Sequence, residues 1–207
     1  LKKNYLGVLA DGTVDVKGLT GKKSHTPPFI RNAFYNILDI LSKVNSEKDF
    51  ESAKEKIKHI IQENARNLES RKIPSSDLTF NVMVNKSPSK YGKKLTTTSS
   101  AKATSLDGRD AEIENYKGLP QHIKAAKLLV EIGKEVKAGD IISYVKTKTG
   151  DGVKPVDLVK AEEIDTEKYL ETMEATFDQL LSSLNFNFKS ILGKPHQSSL
   201  DELFWGT

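Results

Sequence analysis

Lysines and a tyrosine open the chain in a pattern suited to holding phosphate. Lys2, Lys3 and Tyr5 are followed by Lys17, Lys22, Lys23 and Arg31, and only Asp11 and Asp15 oppose them over this stretch. Ammonium and guanidinium groups neutralise phosphate oxygens, and a phenol adds a flat apolar face with a polar tip. The same residue types also make an ordinary solvated lysine face, so the local excess of cations suits a polyanion without requiring one. A second cationic group, Lys86, Lys90, Tyr91, Lys93 and Lys94, lies further along. For that group, a grip on a charged backbone and an unspecific surface role are equally open.

Other chemistries find less support. Asp11, Asp15, Asp107 and Asp110 fall in turn-like or low-complexity sequence and read as ordinary turn aspartates. The absence of cysteine excludes disulfides and thiolate metal sites, and His25, His59, His122 and His196 lack the spacing of metal ligands. No metal or other cofactor is therefore expected to belong to this chain. The net charge of +4 over 207 residues is modest, and the distribution of charge says more than the total. No apolar run reaches the roughly 20 residues of a membrane span, and Leu1 to Tyr5 lacks the apolar stretch of a signal peptide. An intracellular protein with no membrane partner is the expectation. Because the first residue is leucine, the chain is also expected to begin inside a longer protein, as a split subunit, a processed product or a truncated record.

The elements that must carry these side chains follow from periodicity. Tyr5 to Leu9 and Thr13 to Val16 are β-prone runs around Ala10-Asp11-Gly12, which predicts an antiparallel hairpin. Two strands alone are marginal, so the hairpin needs further structure to cover it. After Thr26-Pro27-Pro28 the period becomes helical, with Phe29, Ile30, Ala33, Phe34, Ile37, Leu38, Leu41 and Val44 on one face. Ser46 opens a second helix striped by Phe50, Ala53, Ile57, Ile60, Ile61 and Leu68, and the two should pair. Leu78 to Val84 and Ile141 to Val145 read as strands, and Pro120 stands at the first turn of a helix. Residues 92–118 lose periodicity and are expected to form a mobile insertion. A last helix from Asp165 carries Tyr169, Leu170, Met173, Phe177, Leu180, Leu181 and Leu184, after which the sequence reads as polar and short-sided until Leu200.

Several of these segments, in order, resemble the family B DNA polymerases of archaeal type. Lys2-Lys3-Asn4-Tyr5 is similar to the Lys-Lys-x-Tyr signature that follows the last catalytic motif, and Lys17-Gly18-Leu19 to the Lys-Gly segment of the same palm. Leu78 to Tyr91 resembles the thumb strand leading to Lys-x-Pro-x-x-Tyr, and Pro120 to Ala126 the Pro-x-His-x-x-Ala helix start. Gly139-Asp140, the strand after it, and Asp165 to Tyr169 continue the family's order. The resemblance covers nearly the whole chain except the insertion. One departure stands out: Lys22-Lys23-Ser24-His25 replaces the usual Arg-Arg-Asp run, so an interaction made by that aspartate does not transfer.

The resemblance implies an α+β fold: a β-hairpin from the palm edge (1–26), then a mainly helical thumb with a short strand element (27–192), then a flexible tail (193–207). It implies a chain that binds primer-template duplex through Lys2, Lys3, Tyr5, Lys17, Lys22, Lys23, Lys86, Lys90, Tyr91, Lys93, Lys94, His122 and Lys124. Such contacts should follow shape and charge, because a polymerase must accept every template. Phosphoryl transfer needs two divalent metals held by carboxylates, and the family's aspartates precede Lys-Lys-x-Tyr. Mg2+ is thus expected in the complete polymerase, with the rest of the polymerase (palm, fingers and exonuclease) as partner, and the isolated chain is expected to be inactive. The implied location is the cytoplasm, at the nucleoid.

The tail adds a separate signal. Gln197, Leu200, Leu203 and Phe204, with Trp205 next, have the spacing of a sliding-clamp-binding peptide. One short helical turn gathers Leu200, Leu203 and Phe204 into a plug for an apolar pocket, while the Gln197 amide suits a polar one. Docking of the same residues on the chain's own core is the competing possibility. A free-standing, non-catalytic DNA-binding module tethered to the clamp is the alternative to a polymerase part.

Overall fold

The computed structural model describes residues 5–9, 14–88 and 118–193. They fall into two compact units, one formed by Leu1–Asp77 and Thr166–Thr207, the other by Leu78–Asp165. The expected insertion (apart from Gly118), the centre of the hairpin turn and the tail (apart from Gly193) lie outside the described residues. No described helix is long and apolar enough to cross a membrane.

The first unit begins with β1 (Tyr5–Val8) and β2 (Val14–Lys17), antiparallel with Tyr5 opposite Lys17 and Gly7 opposite Asp15. Helix α1 (Pro28–Ser42) starts on a proline, whose fixed φ and missing N–H suit a first helical position, and buries Phe29, Ile30, Ala33, Phe34, Ile37, Leu38 and Leu41. Helix α2 (Glu47–Glu69) is capped by Ser46, whose Oγ accepts the Asp49 N–H at 3.1 Å. It packs against α1 through Ala53, Ile57, Ile61, Ala65 and Leu68. Helix α3, in the second unit, spans Gln121–Glu131, and α4 (Thr166–Leu181) completes the first unit's core with Tyr169, Leu170, Met173, Phe177, Leu180 and Leu181. Each helix presents a stripe at the helical period, and burial of those stripes is the main force closing this unit.

The sequence after α4 corrects one expectation. Rather than turning polar at once, the chain reverses at Asn185, whose φ of 55° is left-handed, and forms the single-turn α5 (Phe188–Ile191) with Phe188 and Ile191 buried. Asn187 caps it by accepting the Lys189 and Ser190 N–H groups. Phe188 stacks on Phe177 at 6.4 Å, and Gln62 of α2 donates to the Ile191 carbonyl at 2.8 Å. This last segment therefore belongs to the core.

The second unit is a three-stranded antiparallel sheet in the order β3 (Phe80–Met83), β4 (Ile141–Lys146), β5 (Val153–Pro155), with α3 packed on β4 and β5. Phe80 lies opposite Tyr144 and stacks on it at 5.4 Å. The Gly139-Asp140 turn leads into β4: the Gly139 N–H donates to the Val84 carbonyl at 2.7 Å, and Asp140 accepts the Lys137 N–H. Strand β5 has no counterpart in the sequence reading. It is three residues long and ends in proline, which an edge strand tolerates. The two units together give the mixed α+β architecture expected.

Candidate nucleic-acid interface

Alternation along a two-stranded ladder places Tyr5, Gly7, Asp15 and Lys17 on one face of the hairpin. Tyr5 is 45% exposed, and its hydroxyl donates to Asp15 Oδ2 at 2.9 Å, diagonally across the ladder. That hydrogen bond, aided by burial and by the charge of Asp15, raises the Tyr5 phenol above its ordinary pKa. Asp15 reads as a turn aspartate from sequence; it lies within β2, because the turn residues are those before Val14. Lys17 is exposed at the end of the same strand.

From Lys17 the chain enters the loop that carries Lys22, Lys23 and His25, all exposed. This loop is fastened to the helices at several points. Leu19 is buried, and Gly21 sits so close to the Phe34 ring that it has no room for a side chain. The Thr20 N–H donates to Gln179 Oε1 of α4 at 3.1 Å, and the Thr26 hydroxyl donates to the Thr20 carbonyl at 2.9 Å. Arg31 of α1 reaches back to the Ser24 carbonyl at 3.4 Å. The cations of the loop thus stand on a short, well-anchored segment, which limits the ordering entropy sacrificed when they meet an anion. Sequence reasoning found the lysines and missed the anchors. Gly21 and Gln179 were the only signals, a small residue in the loop and an amide near the end of an apolar helix stripe.

In the second unit Lys86 is exposed beyond β3. His122 and Lys124 lie in the first turn of α3. Burial pulls the His122 imidazole below its ordinary pKa, so at neutral pH it offers a ring N–H rather than a cation. The Lys124 ammonium donates to the Asp151 carbonyl at 3.3 Å and so ties α3 to the turn before β5. Tyr144 and Lys146 are occupied nearby: burial pushes the Tyr144 phenol up to about 12, and the Lys146 ammonium sits 5.2 Å from the Phe80 ring centre. Lys2, Lys3, Lys90, Tyr91, Lys93 and Lys94, and the tail residues Gln197, Leu200, Leu203, Phe204 and Trp205, lie outside the described residues.

Among the described residues no three His, Asp or Glu side chains gather as a metal cradle. Asp15 and Asp140 each hold a hydrogen bond from their own fold, and neither belongs to a metal-binding cluster of described carboxylates. No step is assigned to a metal held by the described residues.

Comparison with known proteins shows the family. The model of DNA polymerase family B matches residues 1–191. The chain is 35% identical over 204 residues to DNA polymerase 1 of Saccharolobus solfataricus, covering 99% of this chain and 20% of that protein. It is 33% identical over 193 residues to DNA polymerase 1 of Aeropyrum pernix, covering 93% and 18%. The fold matches that of the family B DNA polymerase from Pyrobaculum calidifontis with a TM-score of 0.54 at 20% identity, over 96% of this chain and 21% of that one. The chain belongs to DNA polymerase family B. It spans about a fifth of the length of the curated relatives it matches.

Proposed function

We propose that this chain is the duplex-holding C-terminal part of a DNA-directed DNA polymerase: the palm edge at 1–26, the thumb at 27–192 and a clamp-binding tail at 193–207. The observation that carries this reading is the family match across 1–191, within which the anchored loop displays exposed lysines. In this reading the Lys17, Lys22 and Lys23 ammonium groups neutralise primer-template phosphates, with Lys2 and Lys3 before them and the Lys86 to Lys94 group gripping the duplex further back. His122 supplies a neutral N–H donor, and Lys124 mainly holds α3 in place. Phosphate contacts of this kind fix register without reading sequence. The rest of the polymerase supplies the carboxylates that hold Mg2+, and the tail tethers the enzyme to the sliding clamp.

The experiment is a salt titration of primer-template binding by the polymerase carrying this segment, wild type against the triple variant Lys17→Ala, Lys22→Ala, Lys23→Ala. Every phosphate left without its lysine should flatten the log-log salt dependence by about 0.9. A variant with unchanged affinity and slope would remove the loop from the interface.

A further inference from the structure

The exposed pair Tyr5 and Asp15 points to a role that the sequence did not suggest for Asp15. An exposed phenol ordinarily turns freely and donates its proton to whatever acceptor arrives. In the structure the Tyr5 hydroxyl instead donates to a carboxylate on the neighbouring strand, Asp15 Oδ2, at 2.9 Å. Its proton is committed, and a phosphate oxygen, itself only an acceptor, has nothing to receive from it. The carboxylate also repels phosphate, whereas Lys17, directly opposite Tyr5 in the ladder, attracts it.

We propose that Asp15 is a positioning residue for nucleic-acid binding: it fixes Tyr5 so that the ring, not the hydroxyl, meets the sugar edge of the duplex, while Lys17 takes the adjacent phosphate. The assignment rests on the reading of this chain as a duplex-holding segment. An aromatic face packs on a sugar or base whatever the sequence, which suits a protein that must move along any template.

The test uses the polymerase carrying this segment, a primer-template oligonucleotide and the variants Asp15→Asn, Asp15→Ala, Tyr5→Phe and Tyr5→Ala, with Asp15→Asn and Asp15→Ala also placed in the Tyr5→Phe background. Asparagine removes the charge but keeps an acceptor for Tyr5; alanine removes both. Asp15→Asn should bind DNA at least as tightly as wild type, and Asp15→Ala should bind about threefold or more weakly than Asp15→Asn, as expected for a coupled pair. With Phe at position 5 the two Asp15 variants should bind alike. Equal affinity of the two in the presence of Tyr5, or the same difference between them in the Phe background, would overturn the proposal. Should Asp15→Ala melt early, Tyr5→Phe against wild type makes the same comparison, and identical binding counts against positioning. Unchanged affinity of Tyr5→Ala would take Tyr5 away from the DNA and overturn the proposal, whereas failure of the duplex-holding reading itself would show in the salt titration of the Lys17, Lys22 and Lys23 variant.

Discussion

A Cβ placed on Gly21 would lie 2.3 Å from Cγ of Phe34, far closer than van der Waals contact allows. Phe34 is fully buried in α1, so the ring has nowhere to retreat. Gly21→Ala should therefore destabilise the first unit by about 1–3 kcal/mol, the usual cost of overpacking a core. Lys23→Ala, on the exposed side of the same loop, should change stability by no more than about 0.5 kcal/mol. Denaturant unfolding of both variants checks the pair; a harmless Gly21→Ala would mean that the loop is not seated on Phe34.

Lys2 and Lys3 precede the hairpin and are proposed to meet the primer strand. Replacing both with alanine should weaken primer-template binding and flatten its salt dependence by about 0.9 for each phosphate they had neutralised. Binding measured from low to moderate salt would show this as a change in slope. A parallel displacement at constant slope would mean that the two lysines act without touching phosphate.

The tail makes a separate claim. Truncating anchors that fill a pocket costs about 2 kcal/mol or more each at a hot spot. Leu200→Ala with Phe204→Ala should accordingly weaken binding to the cognate sliding clamp by well over tenfold, since each 1.4 kcal/mol is about a factor of ten. Calorimetry with the clamp measures this, and melting of the same variant should be unaltered. A large fall in melting temperature with equal clamp affinity would favour docking of the tail on the chain itself.

Glu163 accepts a hydrogen bond from Lys154, and its other oxygen accepts the Lys160 N–H at 3.0 Å. These bonds, led by that from Lys154, hold its carboxyl below the ordinary glutamate pKa. A depressed folded-state value means that the stabilisation is complete above the unfolded-state pKa and disappears as pH falls through the folded one. Glu163→Gln should speed amide exchange in β4 and β5 at neutral pH, and the difference from wild type should close in acid. A difference that persists unchanged in acid would rule out the ion pair as its source.

The 207-residue chain by itself should not extend a primer in Mg2+ and nucleotides, since the proposed function assigns the metal-holding carboxylates to the rest of the polymerase. Template-dependent incorporation by the purified chain, free of other polymerases, would contradict the assignment of catalysis to the rest of the protein.

What the sequence revealed and what it hid divide along physical lines. The stripe from Phe29 to Leu41 and that from Tyr169 to Leu184 are long enough to show the helical period, and they bury as that period requires. Strand β5 and helix α5 span three and four residues, too few for any period, so Phe188 and Ile191 pass for linker. The lysines of the loop are visible because composition alone marks them. Their support is not: the Thr20 bond to Gln179 joins residues 159 positions apart, and no local pattern encodes it. Asp15 is misplaced for a smaller reason, since its meeting with Tyr5 depends on the register of the ladder and not on residue type.

The division of the chain into units also orders events at the ribosome. The first unit is interrupted after Asp77 and resumes only at Thr166, so α1 and α2 emerge with their apolar stripes exposed long before α4 arrives to cover them. The second unit, Leu78–Asp165, is continuous and can close as soon as β5 has emerged. Bringing the two halves of the first unit together then costs little extra entropy, because closure grows only with the logarithm of the loop between them. During that interval the half-built helical pair is the species most exposed to aggregation and to chaperone capture, and a stalled or shortened message ending before Thr166 would leave it permanently in that state.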